Sequence, residues 1–314
     1  MKKSTLIIAI LLSISVIYAQ ERITASGDFV TEEYNLDAFT VVDINFIGDV
    51  VIKQSTTNHK VNIKASDYSF IEHTHVDVKK GKLTITMDNY NFHKKTDISM
   101  EVYLPRLEEL TIRSVGNVTV EHRNESQLTV INASAGDCTL QCLKIEKSLE
   151  LHNQGAGDIK VKSPDPIRQQ TLLIDNTGAG DVSILGSHVS KSLFVKNKGA
   201  GGVSVNLLSI PTEELILQNQ GAGDITIQNI LAQRMVLRNQ GAGNMKMMNG
   251  KAEEMTLEST GAGNTHLLLK VTTAHITHAG VGNVIATVTG TAYLTDKSEL
   301  GKVTIQGGGK IVRE

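Results

Sequence analysis

A glycine recurs along most of this chain at nearly constant intervals. The second glycine of a short turn motif falls at Gly116, Gly136, Gly157, Gly180, Gly201, Gly223, Gly243, Gly263, Gly282 and Gly301, with gaps of 20, 21, 23, 21, 22, 20, 20, 19 and 19. Around it the sequence reads Ser-Ala-Gly-Asp at 134–137, Gly-Ala-Gly-Asp at 155–158, 178–181 and 221–224, and Gly-Ala-Gly-Gly at 199–202. It reads Gly-Ala-Gly-Asn at 241–244 and 261–264 and decays through Gly-Val-Gly-Asn at 280–283 to Leu-Gly-Lys at 300–302. A fixed period of this length is the mark of a repeat architecture in which each unit buries its apolar face against the next.

The flanks give the conformation. Eight and six residues before the glycine come apolar pairs such as Leu149/Leu151, Leu172/Ile174 and Leu193/Val195. Two and four residues after it come Ile159/Val161, Val182/Ile184 and Ile225/Ile227. Period-two alternation is a strand with one face in a core. Each repeat is therefore strand, glycine-rich corner, strand and a variable third side, and equivalent strands stack about 4.8 Å apart. The expected fold is all-β: a right-handed parallel β-helix (β-solenoid) with coils of about twenty residues. Leucine-rich repeats share the length but need a different leucine and asparagine pattern. Composition agrees: 27 Gly, 4 Pro, no Trp and 4% aromatic residues leave Ile, Val, Leu and Met to build a thin, repeated core.

Three segments follow. Residues 1–19 read as a secretory signal peptide: Lys2 and Lys3, an apolar run over 6–16, then Ala19 before Gln20. The run is shorter than the roughly 20 residues of a membrane-spanning helix, so the expected location is exported: periplasm, cell surface or extracellular space. Residues 20–109 are strand-rich but off the motif, forming irregular first coils and an N-terminal cap. Residues 110–314 form the regular solenoid, closed by Gly307-Gly308-Gly309 and the charged tail. Coil lengths differ after the second strand, where Ser163-Pro164-Asp165-Pro166 and residues 207–211 are inserted. Variable loops gathered on one side of a solenoid often form its binding face.

Two polar columns run through the repeat. Asn132, Asn153, Asn176, Asn197, Asn219 and Asn239 stand four residues before the glycine, continued by Ser259 and His278. They read as a coil-to-coil amide ladder, donating to one neighbour and accepting from the other, or as a row of sugar-binding amides. Directly after the glycine come Asn117, Asp137, Asp158, Asp181, Gly202, Asp224, Asn244, Asn264 and Asn283. Asp and Asn lock turns through nearby backbone N–H groups, whereas the stacked carboxylates Asp137, Asp158 and Asp181 could also bind a cation. Cys138 and Cys142 stand about 13 Å apart on one straight strand, too far for a disulfide unless a turn intervenes. Core thiols and a disulfide both remain open.

The histidine pair His73/His75 on one strand face lacks an apparent third metal ligand, and no coil carries a singular acid–base constellation. Catalytic, cofactor and metal residues are all expected to be none. A formal charge of −2 gives no electrostatic footprint for nucleic acid. The leading expectation is a non-enzymatic envelope or surface binding protein engaging an extracellular glycan or an envelope protein. A polysaccharide lyase or hydrolase, and a structural protein that self-associates, are the alternatives.

The segment 39–52, Leu83-Thr84-Ile85, Val102-Tyr103-Leu104-Pro105-Arg106-Leu107 and the Gly-Ala-Gly-Asp corners resemble the head GIN domain family of Bacteroidota-like bacteria. Its members are labelled auto-transporter adhesins. The resemblance spans nearly all of the chain after the leader and implies a β-helical, exported protein without bringing a catalytic residue or ligand. The amphipathic strands of a C-terminal membrane barrel are not expected in this sequence, so self-secretion is not expected either.

Overall fold

The computed structural model describes residues 22–23, 29–88, 91–92, 97–141, 143–209 and 211–314. The signal-peptide reading and Cys142 fall outside them. The chain is nearly all-β, 66% strand and 2% helix, wound into a β-solenoid of about 10 turns.

Register follows the sequence period. Strands Arg123–Asn132 and Leu143–Asn153 pair in parallel with Leu128 opposite Leu149 and Asn132 opposite Asn153. The next coils continue Leu149 to Leu172 to Leu193 to Leu215 to Met235 to Met255. A second stack runs Val118 to Cys138 to Ile159 to Val182 to Val203 to Ile225. All of these side chains are buried. Alternation sends every second residue inward, and parallel stacking sets like against like, so one aliphatic column fills the core.

The third side is less regular. Arg123 to Glu125 pair with Leu143 to Ile145, and Ile167 to Gln169 pair with Ser187 to Val189. Between Leu143–Ile145 and Ile167–Gln169 no pairing forms among the described residues, and the two coils rejoin only at Ser148 opposite Thr171. The insertion Ser163-Pro164-Asp165-Pro166 lies at this break. Its two prolines supply no N–H to a ladder.

The N-terminal part departs from chain order. Val41–Asn45 pairs with Glu109–Ile112 on one side and with Lys82–Met87 on the other. Asp49–Gln54 similarly lies between Val118–Val120 and Ile98–Leu104. Beneath these, Thr74–Lys79, Lys60–Ala65 and Val30–Asn35 add antiparallel strands. This cap covers what would otherwise be an open parallel edge. A five-residue helix, Tyr68–Glu72, buries Phe70 and Ile71 against the cap and is N-capped by Asp67, whose carboxylate accepts from the Ser69 N–H at 3.0 Å.

Arg123 and Glu125 join cap to solenoid. Both are buried, and Glu125 Oε1 accepts from Arg123 Nε at 3.0 Å, from Arg123 Nη2 at 2.5 Å and from the Leu107 N–H at 2.9 Å. Arg123 Nη1 donates to the Leu104 carbonyl at 3.0 Å. Burial lowers the pKa of the guanidinium against the opposing pull of Glu125.

Candidate functional site

The two polar columns face different environments. The asparagines are buried. Asn132, Asn176 and Asn219 donate from Nδ2 to a glycine carbonyl of their own corner and to one in the next coil, as in Asn176 to Gly180 at 3.1 Å and Gly201 at 3.0 Å. Their Oδ1 accepts a backbone N–H two residues on, Gly178 for Asn176 and Gly221 for Asn219. The amides thus satisfy corner polar groups, donating to the next coil as expected, but they accept within their own corner and not from the coil on the other side. With donors spent inside the corner, this column presents no row of amides to a ligand. His278 ends it, its Nδ1 3.2 Å from the Ser259 carbonyl.

The acidic column is exposed to half-buried and runs as a one-way chain. Each Oδ1 accepts the N–H of the column residue in the next coil: Asn117 from Asp137 at 3.0 Å, Asp137 from Asp158 at 3.0 Å, Asp158 from Asp181 at 2.8 Å. It starts with Asp49 accepting from Asn117 at 2.9 Å and ends with Asn283 accepting from Lys302 at 3.1 Å. Lys160 Nζ bridges Asp137 and Asp158 at 2.7 and 2.9 Å, and Lys246 pairs with Asp224 at 3.2 Å. The Lys160 ammonium donates to Asp137 and holds its carboxyl below the usual value; the two carboxylates push the lysine up to about 12. The repulsion expected of stacked carboxylates is relieved by lysine and backbone donors.

The other sequence candidates are placed as follows. His75 lies on Thr74–Lys79, but His73 is the C-cap of the short helix, because the chain has not yet entered the strand there. Both rings reach Asp88, His75 Nε2 at 3.0 Å and His73 Nδ1 at 3.6 Å. Among the described residues no group of three His, Cys, Asp or Glu side chains is arranged to hold a metal ion. Cys138 is a free, buried thiol whose pKa burial pushes up to about 12.

The larger concavities lie on the third side as a row of neighbouring hollows that share bordering residues. The first, about 710 Å³, is bounded by Lys53, Gln54, Ser55, Tyr103, Glu121 and His122. His122 also borders a smaller hollow of about 110 Å³ with Lys144 and Asp165. Lys144 and Asp165 in turn border a cleft of about 590 Å³ with Asn124, Glu146 and Arg168. This cleft is the gap where Leu143–Ile145 and Ile167–Gln169 fail to pair. At the cap end Tyr103 donates its hydroxyl to Glu101 at 2.7 Å, with Lys53 and Lys60 ammonium groups 5.7 and 5.0 Å from its ring centre. At the other end Lys144, Glu146, Asp165 and Arg168 form no ion pair with any described residue. The insertion signalled one wall of the groove they outline. Tyr103, His122 and Arg168 come from three non-equivalent elements, so no periodic signal pointed to them.

A parallel β-solenoid with an internal amide column, an outer carboxylate–amide chain and a row of third-side hollows defines the class of protein. The chain belongs to the family described as "Putative auto-transporter adhesin, head GIN domain", which matches residues 38–207 and 174–312. No curated protein matches. Similar solved structures include a putative adhesin from Bacteroides fragilis, 18% identical over 93% of this chain and 100% of that one, TM-score 0.32. A putative lipid binding protein from Parabacteroides distasonis is 12% identical over 93% of this chain and 100% of that one, TM-score 0.43. A putative cell adhesion protein from Clostridium sporogenes is 11% identical over 74% of this chain and 100% of that one, TM-score 0.21. No helix among the described residues is long and apolar enough to cross a membrane.

Proposed function

We propose that this chain is a non-enzymatic, exported envelope or surface protein that binds an extended glycan along the third-side groove. The carrying observation is the groove outlined by three neighbouring hollows, sharing His122, Lys144 and Asp165, that run from Tyr103 to Arg168. An elongated, open groove of mixed polar and apolar lining suits a chain molecule better than a compact ligand, for which enclosed and mostly apolar pockets are usual. Hydroxyl, amide and unpaired charged side chains offer both donors and acceptors to sugar hydroxyls, and Tyr103 adds an aromatic edge. Family membership supports the adhesin-like reading. The regular carboxylate column supports a non-catalytic one, since each of its members holds the backbone of a neighbouring coil or a lysine.

A glycan array probed with the chain from residue 20 onward tests the reading, alongside Tyr103→Ala and Arg168→Ala. Binding should fall in both variants while their melting temperatures stay near that of the parent. Binding that neither variant weakens, or turnover of a polysaccharide by the parent, would overturn it.

A further inference from the structure

The outer carboxylate–amide chain is interrupted at Gly202, and several features coincide there. Gly202 donates its N–H to Asp181 Oδ1 at 2.7 Å but has no side chain to pass the bond on. The Asp224 N–H therefore has no acceptor among the described residues, although the next step, Asn244 N–H to Asp224 Oδ1 at 2.7 Å, is intact. A hollow of about 220 Å³ opens at this point, lined by Asp181, Ser183, Gly202, Ser204, Asp224 and Thr226 among others.

The neighbouring column changes over the same coils. Two residues after the acidic column, Lys160, Ser183, Ser204, Thr226 and Lys246 stand in register. The lysines that clamp Asp137, Asp158 and Asp224 thus give way to three hydroxyls across the gap. Asp181 is left as a column carboxylate without an ion pair among the described residues.

We infer that this notch is a second binding site, independent of the third-side groove, that takes one neutral sugar unit through its hydroxyl groups. A group seated here would accept from the Asp224 N–H, beside the second carboxylate oxygen of Asp181, whose Oδ1 already takes the Gly202 N–H, and the three hydroxyls. A hydroxyl both accepts and donates. An anion meets two carboxylates, of which only Asp224 has a lysine partner among the described residues, Lys246. A cation bridging Asp181 and Asp224 is poorly served, because the stacked carboxylates point the same way: Asp181 toward Gly202, Asp224 onward toward Asn244. The size is that of one ring of a longer chain, below the roughly 300–1,000 Å³ of pockets that enclose a whole drug-sized ligand.

The test is titration of the isotope-labelled chain, from residue 20 onward, with methyl glycosides of glucose, galactose, mannose and N-acetylglucosamine, and separately with calcium chloride, read by amide chemical shifts. At least one glycoside should move the Gly202, Ser204 and Asp224 amides. Gly202→Asn, which supplies the missing acceptor, should abolish that response without lowering the melting temperature. Asp181→Asn should weaken it by about tenfold, the loss of one hydrogen bond to a charged group. Tyr103→Ala should leave it unchanged, which separates this notch from the groove. Three results would each overturn the inference: no glycoside moves these amides, the response survives Gly202→Asn, or calcium alone produces it.

Discussion

Gly201 and Gly202 are adjacent, yet the structure assigns them opposite responses to a side chain. A Cβ built on Gly201 would lie 2.0 Å from the Gly180 carbonyl oxygen and 2.5 Å from its carbon, both backbone atoms of the preceding coil. On Gly202 the nearest atoms are the Asp224 oxygen at 3.0 Å, Asp181 Oδ1 at 3.7 Å and the Asp224 nitrogen at 3.7 Å. Neither glycine has positive φ. Gly202→Asn should therefore place Oδ1 where Asn244 and Asn264 place theirs, accepting the Asp224 N–H. One net hydrogen bond contributes about 0.5–1.5 kcal/mol, and removing glycine's unfolded-state freedom adds about 0.4–1 kcal/mol. The 3.0 Å approach takes back part of this, leaving a gain of about 1–2 kcal/mol. At about 2 °C per kcal/mol or less for a chain longer than 250 residues, the melting temperature should rise by about 2–4 °C at most. Gly201→Ala must force two coils apart and should cost about 3 kcal/mol or more. Circular dichroism melts give the sign, and hydrogen exchange at Asp224 shows whether its N–H has become protected. A stability loss in Gly202→Asn, or tolerance of Gly201→Ala, would overturn these assignments.

Glu125→Leu strands a buried guanidinium and should cost about 3–5 kcal/mol. Arg123→Met with Glu125→Leu should recover part of that: the Leu104 carbonyl keeps the Ser55 N–H at 3.1 Å, and only the Leu107 N–H stays unpartnered; denaturant titrations in which the double variant is no more stable than the single one would contradict this. Lys160→Met tests the carboxylate clamp through pH. Asp137 has a folded pKa below the ordinary 3.8, so its stabilisation is present above that value and lost as pH falls through the lower folded one. Lys160, pushed up from 10.5 to about 12, stabilises fully below 10.5 and loses its contribution as pH rises through about 12. Both groups are about a third or more exposed, so the effect stays below about 1 kcal/mol, and acid and alkaline melts should both flatten in the variant. Cys138 should resist alkylation in the folded protein and react once denaturant opens the coil, as peptide mapping of the modified site would show.

The solenoid was legible because each coil meets the same steric and hydrogen-bonding demands. Leu149, Leu172 and Leu193 recur at one register position, since each must fill the same slice of core. The corner glycines were legible as a demand for no Cβ, but that demand has two causes, positive φ and close approach, which look identical in sequence. Gly180 and Gly201 show that close approach is the cause in this corner. The cap was less legible. Lys82–Met87 and Ile98–Leu104 stack beneath strands that precede them in the chain, an order set by antiparallel excursions that carry no period.

The groove was legible on one wall only, for the same reason. Periodicity reveals residues that repeat, whereas a site on a solenoid is made where repetition stops. Ser163-Pro164-Asp165-Pro166 breaks coil length and opens the third-side cleft. Gly202 breaks the carboxylate chain at the point where lysines give way to Ser183, Ser204 and Thr226. A carboxylate left unclamped beside a donor left unaccepted would weaken an otherwise continuous chain, and Asn at this position would repair both faults with one side chain. Column neighbours carry such side chains at the equivalent positions, so the 3.0 Å approach to the Asp224 oxygen is the one steric cost an Asn here would meet. The stability forgone there by Gly202 is the physical reason to seek a ligand at that coil.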